Sequence, residues 1–82
     1  MDIIIIITNL SKGDINDFCE LEELCNNMYV DFENKSVEIT NPTDSQLQII
    51  PSFSSHDVKI KGSHIDKMKL VEKQIRLKSY LL

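Results

Sequence analysis

A chain of 82 residues with 41% apolar and 27% charged side chains and a net charge of −4 has the make-up of one small folded domain and not of a disordered segment. No apolar stretch approaches the roughly 18 residues a membrane span needs, and a domain this small buries only about 60–65% of its unfolded surface, so a partner that adds buried area is expected. The net charge hides a dipole, because residues 1–57 hold eleven acids against two bases and residues 58–82 hold two against seven.

Five isoleucines follow Met1-Asp2, a run too short for a secretory apolar segment and lacking a basic flank or cleavage site, which predicts a cytoplasmic protein. Ile3–Ile7 is unbroken and β-branched, the pattern of a strand covered on both faces and central in its sheet. Ser11 with Asp14 three residues on resembles a capping box and opens a predicted helix over 14–27. Ile15, Phe18, Leu21, Leu24, Cys25 and Met28 fall on its buried side, with Asn16, Glu20, Glu23 and Asn27 opposite. Cys19 and Cys25, about 9 Å apart along such a helix, cannot close a disulfide.

From Met28 the apolar period changes to two. Met28, Val30 and Phe32, a turn at Glu33-Asn34-Lys35, then Val37 and Ile39 predict a β-hairpin. After a turn at Asn41–Asp44, Leu47 and Ile49 continue the alternation as a third strand ended by Pro51, and Val58 with Ile60 adds a short last one. Ser63 and Asp66 form a second capping box, opening a helix that runs to the C-terminus. The order β-α-β-β-β-(β)-α predicts a single α+β domain over residues 1–82, a mostly antiparallel sheet of about three to five strands with Ile3–Ile7 central and two helices on one face. The other face is expected to carry Ile4, Ile6, Tyr29 and Ile50 beside Glu38 and Gln48.

The terminal helix has two apolar stripes. At roughly 100° per residue Ile65, Met68, Val71, Ile75 and Leu82 lie on one side and suit the domain's own core. Leu70, Leu77 and Leu81 lie nearly opposite, and are therefore expected outside as a partner interface, through which the chain pairs as a homodimer or enters a groove of another protein. Asp14, Asp17, Glu20 and Glu23 form an acidic face on the first helix, suited to docking a basic surface of a partner protein. Lys59, Lys61, Lys69, Lys73 and Arg76 are candidate phosphate contacts, the basis of an alternative in which the segment 59–78 binds nucleic acid.

Chemistry is sparse. Two histidines, His56 and His64, with no cysteine near them in sequence make no metal set, two glycines make no phosphate-cradling loop, and no serine stands in a nucleophile elbow. No enzyme activity, cofactor or metal is expected. Twelve isoleucines and many Lys and Asn, with no Ala and one Arg, suggest an AT-rich coding sequence such as those of low-GC bacteria and their phages or plasmids. In size and acidity the chain resembles small phage inhibitors such as anti-CRISPR proteins, a likeness of composition without a shared motif. Ile5-Ile6-Ile7-Thr8-Asn9-Leu10 resembles the first ribonucleoprotein hexamer of RNA-recognition motifs, which implies base stacking on an open sheet. Ile6 replaces the aromatic favoured there, the basic-Gly-aromatic second motif is missing, and no strand is expected after the last helix. The expected function is a non-catalytic protein-binding regulator or inhibitor, of the kind phages and other mobile elements encode, acting as a homodimer by occluding a partner surface.

Overall fold

The structure, a computed structural model, describes residues 2–79. Its elements are β1 (Ile4–Ile7), α1 (Lys12–Leu24), β2 (Met28–Asp31), β3 (Ser36–Thr40), α2 (Asp44–Ile49), β4 (Val58–Lys61) and α3 (His64–Ser79). The four strands form one antiparallel sheet in the order β2-β3-β1-β4, so the isoleucine run is central as its composition implied. Each crossover skips a strand: α1 links β1 to β2 across β3, and α2 links β3 to β4 across β1. This is the split β-α-β arrangement with a third helix appended.

Register fixes which residues share a face. Met28, Ile39, Ile5 and Ile60 lie across one row, and Val30, Val37, Ile7 and Val58 across the next. These face the helices. Ile5, Val37, Ile39, Leu47 and Ile50 are fully buried, and Ile15 and Phe18 of α1 and Leu70 of α3 join the same core. The two-sided coverage expected for β1 holds on one side only, since Ile4 and Ile6 are half-buried on a face without a helix.

Both serine caps are present: Ser11 Oγ accepts from the Asp14 amide at 3.1 Å, and Ser63 Oγ from the Asp66 amide at 3.2 Å. The first helix runs from Lys12 and stops at Leu24, short of the expected residue 27, because Cys25 is already extended; Leu24, expected on its buried side, stands 84% exposed, and Met28 opens β2. In the hairpin turn, Asp31 accepts from the Asn34 side chain and amide, which holds its carboxyl below the usual carboxylate range.

Two further expectations fail. The strand predicted at Leu47–Ile49 is the helix α2. Thr43 and Gln46 cap it reciprocally, each side chain bonding the other's backbone amide, and Ile50 and Pro51 end it. Leu47 and Ile50, three apart, are then both buried, so Ile50 belongs to the core and not to the open sheet face, and Gln48 lies in the helix. The last helix is rotated by about half a turn from its expected orientation. Leu70 is buried, Leu77 packs on the core, and Ile65, Met68 and Ile75 face solvent at 65%, 52% and 65% exposure. Leu81 and Leu82 lie outside the described residues.

The reason for that rotation is Gln74, which lies between Leu70 and Leu77 and is only 2% exposed. Its Nε2 donates to the carbonyls of Leu47 (3.3 Å) and Pro51 (3.1 Å), and its Oε1 accepts from the Phe53 amide at 3.1 Å. Lys78 Nζ donates to the Ile50 carbonyl at 2.8 Å, and Lys73 pairs with Asp44 at 2.8 Å. The carbonyls left open at the end of the six-residue α2 are thus satisfied from α3, and only one rotation of α3 allows it.

Candidate interaction surfaces

Four surfaces present side chains that the fold itself does not use. The first is the outer side of α3, where Ile65, Met68 and Ile75 are exposed with Lys69 and Arg76 on one flank. Between this helix and β4, Phe53, Ile60, Met68 and Val71 line a shallow apolar groove of about 470 Å³, with Lys67 and Glu72 at its rim.

The second is the acidic side of α1. Asp14, Asp17, Glu20 and Glu23 are all exposed, and none of them forms an ion pair among the described residues. Glu22 differs from them, because its carboxylate accepts the Val30 amide and so closes part of the β2 edge. The basic helix α3 does not neutralise this face: it packs against α2. Reversing Glu20 and Glu23 to Lys is expected to leave the fold intact and to slow association with a basic partner at least tenfold at low salt, an effect that fades at high salt. Stopped-flow association rates at two ionic strengths check it.

The third is an open groove of about 1200 Å³ between the end of α1, the start of β2 and α2. Exposed Leu24, Tyr29 and Ile49 stand around it. Its floor is structural, since Asn27 and Gln46 exchange side-chain amide hydrogen bonds at 2.9 Å in both directions, and Asn27 Nδ2 also donates to the Thr40 carbonyl. These amides are satisfied by each other and hold β3 to α2, and exposed Glu23, Asn26, Glu38 and Ser45 also line the groove.

The fourth is the open face of the sheet. One row reads Tyr29, Glu38, Ile6, Lys59 across the four strands, and the next reads Thr40, Ile4, Lys61 across three. Glu38, Lys59 and Lys61 are exposed, and Tyr29 is 62% exposed.

The basic residues singled out in the sequence are therefore divided. Lys59 and Lys61 lie on the open sheet face, Lys69 and Arg76 on α3 on the helical side, and Lys73 is engaged with Asp44. No single phosphate-tracking stripe results. Burial raises the Cys19 thiol above its ordinary range, with Glu22 and Glu23 adding to the shift, which keeps the sulfur protonated and a poor nucleophile at neutral pH. Cys25 is likewise a free thiol. Among the described residues no cluster of three His, Cys, Asp or Glu is placed to hold a metal ion, and no helix is long and apolar enough to cross a membrane. Comparison of the chain with protein-family models, with curated proteins and with solved structures gave no match.

Proposed function

We propose that this chain is a non-catalytic protein-binding regulator or inhibitor, of the kind mobile elements encode, acting in the cytoplasm as a homodimer that occludes a surface of another protein. The observation behind this reading is the outer face of α3. Ile65, Met68 and Ile75 stand in solvent on a helix that already gives Leu70, Gln74 and Leu77 to the interior. An apolar helix row with basic neighbours suits a partner groove that is apolar at its floor and acidic at its rim. The acidic side of α1 offers a second contact, to a basic surface of the same partner. The rival reading, a nucleic-acid-binding regulator using residues 59–78, is weakened by the division of the basic residues between two faces and by the internal use of Lys73 and Lys78.

The test is a triple replacement, Ile65→Glu, Met68→Glu and Ile75→Glu, made in immobilised protein exposed to an extract of the native host. The variant is expected to keep the wild-type circular dichroism and melting temperature, since all three side chains are exposed, and to hold the captured protein at least about 100-fold more weakly. Equal capture by both forms would remove α3 from the reading. Binding of labelled DNA or RNA at low salt, lost steeply as salt rises, would favour the rival.

A further inference from the structure

We propose that the open sheet face is the homodimer interface, formed by two copies packed face to face about a two-fold axis running along β1. This rests on the protein-binding reading above, to which it adds the place where the chain meets itself. The antiparallel register supplies the reasoning. Across the face, β3 contributes Glu38, β1 contributes Ile6 and β4 contributes Lys59, in one row perpendicular to the strands. A two-fold rotation about β1 keeps each row at its own height and exchanges its two ends. Ile6 then meets Ile6 of the second copy, Glu38 meets its Lys59, and Lys59 meets its Glu38. In the neighbouring row Ile4 meets Ile4, and Lys61 meets Thr40. The face is thus its own electrostatic complement under one symmetry operation, with an apolar midline and two reciprocal ion pairs, the arrangement an isologous contact requires.

Other observations agree. Ile4 and Ile6 are β-branched apolar residues in the middle of a sheet face that no helix among the described residues covers. Tyr29, one strand beyond Glu38, overhangs the partner's β4, where its ring can lie along the aliphatic stem of the partner's Lys59. Within one copy Glu38 and Lys59 stand two strands apart, about 10 Å, and neither forms an ion pair among the described residues. Four strands of about four residues give a contact below the roughly 800 Å² per partner of a standard interface, so monomer and dimer exchange over an accessible concentration range.

The experiment is sedimentation or light scattering on the whole chain from about 1 μM to 1 mM, with three further samples: Glu38→Lys, Lys59→Glu, and their equimolar mixture. Wild type is expected to move from the 9.5 kDa monomer to twice that mass as concentration rises. Each single variant places like charges opposite each other at both ends of the row and should shift the midpoint upward at least tenfold. The mixture pairs a row basic at both ends with one acidic at both ends and should dimerise at or below the wild-type midpoint. Both positions are exposed, so unchanged circular dichroism shows that the variants fold. A wild type that stays monomeric at 1 mM overturns the proposal, as do single variants that dimerise like wild type. A monomeric wild type that binds oligonucleotide, with binding lost in Lys59→Glu, overturns it in favour of nucleic acid on this face. A monomer whose host target is still lost with the α3 triple replacement overturns the interface alone and leaves the protein-binding reading standing.

Discussion

Ile5→Asp is expected to leave the chain unfolded at room temperature. Ile5 is fully buried on the central strand, between Ile39 and Ile60 on the covered side of the sheet, and no cation lies in that core to receive a carboxylate. An unpaired buried charge costs several kcal/mol, and a domain of this size holds a total reserve on the order of 4–12 kcal/mol. Loss of amide dispersion in a proton NMR spectrum and of the cooperative thermal transition would report it. The neighbouring Ile6→Asp is the control, since Ile6 is half-buried on the uncovered face and its carboxylate reaches water. It should fold. If Ile5→Asp folds as well as Ile6→Asp, the sheet has been assigned the wrong covered side.

Gln74→Leu is expected to cost about 2–4 kcal/mol although it replaces a buried polar side chain by an apolar one of similar size. It leaves the Phe53 amide without its acceptor, and the Leu47 and Pro51 carbonyls without their donor, in a region where α2, its following loop and α3 meet. The melting temperature should fall by more than about 10 °C, given the small unfolding entropy of so short a chain. Ile75→Gln, the next position and on the outer side, should move it by no more than about 2 °C. A Gln74→Leu variant as stable as wild type would mean that the helix can dock by its leucines alone and that the amide is incidental.

These two residues also show what could be read from the sequence and what could not. The isoleucine run, the Met28–Ile39 hairpin and the serine caps before α1 and α3 are governed by local period and local hydrogen bonds, and the structure has them where the pattern puts them. The segment at Leu47 is different: two apolar residues cannot distinguish a period of two from one of 3.6. The deciding signal, Thr43 with Gln46 three residues on, has the same spacing as the Ser11–Asp14 and Ser63–Asp66 caps. For α3, both apolar stripes suit a core equally well by composition. What selects Leu70 and Leu77 is a glutamine between them whose partners are carbonyls more than twenty residues upstream, and no helical wheel contains those. The charge layout of the open sheet face depends on register, which places Glu38 and Lys59 in one row only after both strands have found β1.

The pairing of β1 bears on how the chain reaches this fold. Ile5 lies opposite Ile39 and Ile60, 34 and 55 residues downstream, so the most apolar strand is made first and completed last. During synthesis it leaves the ribosome with neither neighbour yet available, and closing such long loops delays folding relative to a chain built from local contacts. Until β4 arrives, one edge of an all-isoleucine strand is open to any other extended chain, and crowded nascent copies would be prone to aggregate there. The hairpin of β2 and β3 can form earlier by itself and offers β1 a first template, which makes Ser36–Thr40 the segment whose timely pairing shelters the isoleucine run.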